Sequence, residues 1–212
     1  RVGGIPVNPI PPLNYSLVFS VKGLINEYIE KSRIISNHEV VEADSMEGLE
    51  EIVFSEPFGK MEAFYTSGGI STLTDTFKDK VAHLDYKTIR YPGHRDYIKF
   101  LMDIGMTGME EIDVRGYKVT PREVLEKTLE KNLPPDSGDV ILIRVTAEGE
   151  KNGVKTEHVQ EHIDYFDKEN KLTAMMRMTA FPAAAVALMI GRNVISEKGT
   201  LYQELSIPFD PF

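Results

Sequence analysis

Arg90, Gly93 and His94 lie within five positions of one another and could do chemistry together. A guanidinium is a permanent cation whose planar fork matches a carboxylate. Glycine lets backbone approach a ligand closely, and an imidazole can bind or orient a polar group or shuttle a proton near neutral pH. Together they suit capture of a carboxylate-bearing molecule, with His94 as the candidate catalytic group. Two plainer readings stand beside this one. Arg90 could bridge to an acidic partner across a sheet, and His94 could simply begin a helix.

Further candidates are scattered along the chain. Lys22 follows Ser20 at a helix start, where a cation opposes the helix dipole unless an anion is bound nearby; a solvated surface lysine is the equal alternative. Residues 66–73 (Thr-Ser-Gly-Gly-Ile-Ser-Thr-Leu) form a hydroxyl- and glycine-rich turn, and Ser67 and Gly68 there could cradle an anion. An ordinary strand-to-helix turn uses the same residues. Tyr15 is a further candidate, and Arg177 and Thr179 are polar groups embedded in an apolar segment. His158 and His162 invite a metal reading, but four residues along a strand span about 13 Å, too far for one ion.

The elements that must position these residues follow from local pattern. Residues 1–13, dense in Pro and Gly, read as an extended lead-in, and residues 13–20 as a short strand. Ser20 caps a helix with the stripe Leu24, Ile25, Tyr28, Ile29. Residues 33–65 read as a meander of short strands. Residues 84–91 read as one half-buried strand, with Leu84, Tyr86, Thr88 and Arg90 on one face. Pro92-Gly93 ends it, and a helix opens at His94 with apolar spacing through Ile104; its free N-H groups would make a mouth for a carboxylate. Thr120-Pro121-Arg122-Glu123 is a capping-box helix start, with a stop at Pro134-Pro135. Residues 139–149 and 154–166 alternate around Lys151-Asn152-Gly153 as a hairpin. Residues 173–192 form the most apolar helix, with Pro182 starting or kinking it.

The whole chain sets bounds. Its 212 residues, 42% hydrophobic and 27% charged, suffice for a sizeable core. A net charge of -9 and the lack of a basic run argue against nucleic acid. With no cysteine, disulfides, thiolate metal sites and a cysteine nucleophile are excluded, which fits a cytoplasmic location. The longest apolar stretch, 180–190, reads as too short to span a bilayer, so no membrane is expected. A first residue other than Met and the ending Phe209-Asp210-Pro211-Phe212 suggest a piece of something longer.

With these residues in view, the chain resembles the C-terminal, substrate-binding part of the saccharopine dehydrogenase family, which includes saccharopine reductases and lysine 6-dehydrogenases. The matching pieces are Gly3-Gly4-Ile5-Pro6 with Pro11-Pro12-Leu13-Asn14-Tyr15, Phe19-Ser20-Val21-Lys22-Gly23-Leu24-Ile25-Asn26-Glu27-Tyr28, Thr88-Ile89-Arg90-Tyr91-Pro92-Gly93-His94, and Met176-Arg177-Met178-Thr179-Ala180-Phe181-Pro182-Ala183-Ala184. The resemblance implies an α/β (α+β) domain over 1–212. Its mixed, largely antiparallel sheet would carry helices on one face, as in the C-terminal catalytic domain of glyceraldehyde-3-phosphate-dehydrogenase-like dehydrogenases. It also implies an NAD- or NADP-dependent enzyme acting on the C-N bond of an amino acid (saccharopine, lysine or a related amino acid or polyamine derivative). The cofactor would be held mainly by the protein's own Rossmann domain, which this chain lacks, since it has no G-x-G-x-x-G after a strand.

Tyr15, Ser20, Lys22, Ser67, Gly68, Arg90, Gly93 and Thr179 are the residues expected to bind the small amino-acid substrate. Arg90 matches the arginine of the family's Thr-x-Arg motif, whereas Lys22 stands where related reductases have an arginine, a departure that counts against bidentate recognition there. The Met-rich helix and long hairpin strands suggest a homodimer. The alternative reading is a non-catalytic α/β binding or oligomerisation module lacking a nucleotide domain.

Overall fold

The computed structural model describes residues 1–134 and 138–212. In chain order the elements are β1 (Val2–Pro6), α1 (Val21–Ile29), β2 (Ser32–Ser36), β3 (Glu39–Ala43), β4 (Glu50–Val53), β5 (Lys60–Phe64), α2 (Leu73–Phe77), β6 (His83–Leu84), β7 (Thr88–Arg90) and α3 (His94–Asp103). They continue with β8 (Ile112–Val114), β9 (Tyr117–Val119), α4 (Pro121–Asn132), β10 (Asp139–Lys151), β11 (Val154–Tyr165), α5 (Ala174–Gly191) and α6 (Gln203–Ser206).

The main sheet has six strands in the order β11-β10-β1-β7-β5-β4. Every neighbouring pair is antiparallel except β1 with β7. It is a mixed α/β fold with a curled, mostly antiparallel sheet. Register puts Gly4, Phe64, Thr88, Arg90 and Ile141 on one face. There α1, α3 and α4 pack through Leu24, Ile25, Tyr28, Ile98, Leu125 and Leu129 around Phe64. The opposite face buries Ile5, Ile52, Met61, Ile89, Val140 and Leu142 with Phe54 and Phe58.

Several expected elements formed from local signals. Ser20 Oγ accepts from the Gly23 N-H at 3.0 Å at the start of α1. Thr120 and Glu123 close a reciprocal capping box at α4; Pro134 follows that helix, and Pro135 lies outside the described residues. The β10–β11 hairpin turns at Asn152 and Gly153, whose φ values of 55° and 79° suit a primed two-residue turn. Its strands run to Lys151 and Tyr165, longer than the alternation alone indicated on the first arm.

Other expectations need correction. The lead-in contains β1, a central strand between β10 and β7. Glycine permits this, because a Cβ on Gly3 would come within 2.7 Å of Ile89 Cβ. Residues 13–20 are not a strand but turn and irregular backbone, with Asn14 at a φ of 51°. The meander is shared between two sheets, since β2 and β3 join β6 in a separate three-stranded sheet while β4 and β5 extend the main one. The strand expected over 84–91 is broken for the same reason. β6 belongs to the small sheet and β7 to the large one, and the chain between them is pinned by Asp85 to Arg1 at 2.6 Å and by Lys87 to Glu50 at 2.5 Å.

The apolar helix forms within its expected bounds of 173–192. α5 runs 18 residues with a mean hydropathy of 1.5, long and apolar enough to cross a membrane by length and composition, and 11% of that window is buried. The reading that the apolar stretch is too short is therefore corrected: Met175, Met176 and Met178 extend it on the N-terminal side. Pro182 lies inside the helix rather than at its start. One flank is tied to the sheet. Asp139 Oδ1 and Oδ2 accept from the Ala174 and Met175 N-H groups at 2.7 Å each, and Arg177 pairs with Asp164 at 3.3 Å.

Candidate functional site

β7 alternates so that Arg90 points to the helix face while Ile89 enters the opposite core. Gly93, at a φ of 89°, then turns the chain into α3 at His94. From α1, Tyr28 reaches the same point. Arg90 is 4% exposed, His94 1% and Tyr28 1%. The Arg90 Nε-H donates to Tyr28 Oη at 2.9 Å, and Arg90 Nη1 donates to the Ile89 carbonyl at 2.9 Å.

Tautomer and direction follow from the partners. The Leu13 carbonyl, 2.8 Å from His94 Nδ1, can only accept, so Nδ1 carries the proton. Nε2 therefore accepts from the Tyr28 O-H at 3.0 Å. The donors form one file: Arg90 Nε-H to Tyr28 O-H to His94 Nε2, with Nδ1-H on Leu13. Burial first, and the Arg90 charge second, hold the imidazole pKa down at about 3. His94 is thus neutral around pH 7. The expectation that it titrates near neutrality from an open helix mouth is corrected by this placement.

Burial opposes the charge on Arg90, but Tyr28, Tyr15 and Tyr86 outweigh it and the guanidinium pKa is raised. The Tyr15 ring lies 5.2 Å from the guanidinium carbon and 5.3 Å from the imidazole. Among the described residues no carboxylate forms an ion pair with Arg90. Register sets Glu62 directly opposite it, which is the acidic neighbour the plainer reading called for. The Glu62 carboxylate instead accepts from the Gly93 and Arg95 N-H groups at 3.1 and 2.7 Å. It caps α3. The anion-binding mouth expected at that helix start is therefore filled by the chain's own carboxylate.

Other expected site residues divide into near and far. The Ser67 N-H donates to the Glu27 carbonyl at 3.0 Å, which ties the 66–69 turn to α1 beside Tyr28. Gly68 is exposed on that turn. Ser20 serves as a helix cap, and Lys22 is exposed in the first turn of α1. Thr179 is exposed on α5, with its hydroxyl 3.9 Å from Met175 Sδ, and is not part of the Arg90 cluster. His158 and His162 stand exposed on one face of β11, opposite Ala147 and Ile143.

Sequence reasoning missed Tyr28, Glu27, Tyr86 and Glu62. Tyr28 reads as one more apolar position in the helix stripe, and only its hydroxyl hinted at a polar task. The Tyr86 hydroxyl lies 3.3 Å from Thr88 Oγ1, and its ring occupies the space a side chain on Gly69 would need. Of two cavities found among the described residues, neither is lined by Arg90. One is an apolar void of about 10 Å³ beside Tyr28, Leu24 and Leu129. The other is a surface groove of about 260 Å³ between the hairpin and Met178 of α5.

A mixed, curled, mostly antiparallel sheet with helices gathered over a buried cation defines an α/β domain. The apo, histidine-tagged saccharopine dehydrogenase (L-Glu forming) from Saccharomyces cerevisiae has this fold, with a TM-score of 0.71 at 17% identity. The match covers 99% of this chain and 62% of that one, so this chain spans less than two thirds of that protein's length. The family model for the saccharopine dehydrogenase C-terminal domain matches residues 1–211, and the chain belongs to that family.

Proposed function

We propose that this chain is the substrate-binding part of an NAD(P)-dependent oxidoreductase that acts on the C-N bond of a small amino acid such as saccharopine, lysine or a related derivative. The observation that carries this reading is Arg90. It is a buried guanidinium fixed by Tyr28 and Ile89 O and unpaired with any carboxylate among the described residues. The surrounding tyrosines favour its charged form, and among the described residues its Nη2 donates no hydrogen bond. A substrate carboxylate would accept from that donor, with His94 acting through Tyr28 as a positioning residue.

The chain's own residues do not fit a dinucleotide. Pyrophosphate sites use free N-H groups at a helix start. Here the four longer helices are capped, α1 by Ser20, α3 by Glu62, α4 by Thr120 with Glu123, and α5 by Thr173 with Asp139, and the two uncapped ones, α2 and α6, are only five and four residues long. NAD or NADP would accordingly be held by a separate Rossmann domain. The protein would be cytoplasmic and homodimeric.

The test is a turnover screen of the full-length protein with lysine, saccharopine and carboxylated polyamines against both cofactors. Reduction or oxidation of the nicotinamide with at least one substrate is expected, abolished by Arg90→Met. Turnover unaffected by that change would overturn the site. A binding module without enzymatic activity would show no turnover with any pair.

A further inference from the structure

We infer that residues 66–72 form a lid over Arg90 and that the carboxylate of Glu204 latches it shut. The lid rests on the reading of Arg90 as the carboxylate anchor and adds the control of access to it. A guanidinium that is 4% exposed cannot receive a ligand as it stands, and neither the void beside Tyr28 nor the groove at the hairpin is lined by it. Some part of its cover must therefore move. On one side the cover is fixed: the Tyr15 ring belongs to the core around α1, α3 and α4, and the Leu13 carbonyl accepts from His94 Nδ1-H at 2.8 Å. On the other side lies the turn that leaves β5.

That turn is placed and built to open. β5 ends at Phe64 opposite Thr88, which shares a face of β7 with Arg90. The Ser67 N-H then reaches the Glu27 carbonyl at 3.0 Å, next to Tyr28. Gly69 lies against the ring of Tyr86, whose hydroxyl is 3.3 Å from Thr88 Oγ1. Gly68, Gly69 and Ser71 are exposed, and φ values of 83° at Gly68 and 50° at Ser71 make this a backbone of pivots rather than a packed element. Thr66 and Thr74 flank the turn, and their buried hydroxyls bond no partner among the described residues. Closure thus strands polar groups that opening would hydrate. What holds the turn down comes from the far end of the chain. Glu204 of α6 accepts from Thr72 Oγ1 at 2.9 Å and from Thr76 Oγ1 at 2.6 Å, so one carboxylate brackets α2, which has no side-chain cap of its own.

The experiment reads access to Arg90 without a substrate. The full-length protein is treated with phenylglyoxal, which modifies accessible guanidinium groups, and the rate at each arginine is followed by peptide mass spectrometry. Arg122, buried on α4 and bonded to Glu126 and Asn26, reports general loosening, and the exposed Arg115 reports the reagent itself. In the wild type Arg90 should react more slowly than Arg115. Glu204→Ala should speed the reaction at Arg90 by on the order of fivefold or more, because two hydrogen bonds to a carboxylate are lost. Gly69→Ala, whose added Cβ would collide with the Tyr86 ring, should prop the lid open and do the same. Both should leave Arg122 unchanged. Acceleration of Arg90 and Arg122 in parallel, or of neither, overturns the lid, and wild-type Arg90 reacting as fast as Arg115 overturns closure. Each of these results leaves the anchor standing if Arg90→Met abolishes turnover, whereas full turnover by Arg90→Met overturns the anchor whatever the access.

Discussion

Arg90 is fixed by two hydrogen bonds of different kinds, and a lysine cannot reproduce them. An ammonium on a flexible stem has no Nε-H to give Tyr28 while still facing a ligand. Arg90→Lys should therefore raise KM strongly, by about 1.5–3 kcal/mol for a charged hydrogen bond, with a smaller effect on kcat. A KM equal to wild type in steady-state assays would remove Arg90 from the binding site. His94 makes a prediction about stability rather than rate. Its pKa in the fold, about 3, lies below its ordinary value of 6.5. The unfolded chain therefore takes up a proton that the native state refuses. Its contribution is whole above pH 6.5 and is lost as the pH falls toward about 3, at about 1.4 kcal/mol per pH unit. His94→Asn should flatten that part of the unfolding free energy measured in urea at a series of pH values. An unchanged slope would mean that His94 is protonated in the fold.

At the scale of elements, most helix starts are secured by one or two oxygens, and α5 depends on a partner from another strand. Asp139 is fully buried at the head of β10, and both of its carboxylate oxygens accept from the first turn of α5. Asp139→Ala would leave two N-H groups unsatisfied and should destabilise the chain by about 3 kcal/mol. Asp139→Asn should cost less, since its amide oxygen can still accept one bond. Equal urea midpoints for all three proteins would show that α5 docks through its side chains alone. The same dependence on partners explains why α3 offers no mouth for a substrate. Glu62 lies on β5, and its carboxylate reaches the N-terminus of α3 only because β5 and β7 are adjacent.

For the whole molecule, α5 and β11 both carry unpartnered surface. α5 exposes Met176, Phe181, Leu188 and Ile190, and β11 is an edge strand of 12 residues. An open edge and an exposed apolar helix are features that isologous dimers cover. The ties from α5 to Asp139 and Asp164 hold one flank against the sheet and suit a subunit contact better than a lipid environment. Light scattering should give twice the 23.9 kDa chain mass for this chain in solution. A monomer mass at high concentration would contradict the dimer.

What the sequence by itself determined is what neighbouring residues decide among themselves. Ser20 before an apolar stripe, the Thr120–Glu123 capping box, Asn152-Gly153 between alternating strands and the helical spacing after His94 each involve partners a few residues apart, and each formed as expected. The motif pieces likewise sufficed to identify the family. Only the tertiary structure decided which long-range partner wins. Tyr28 meets Arg90 from 62 residues away and His94 from 66. Glu62, though opposite Arg90 in register, gives its carboxylate to α3 because two free N-H groups at a helix start compete for it. Chain pattern marks a residue as polar, buried or extended, but its choice among several distant donors is a difference of free energies that exists only once the elements are packed together.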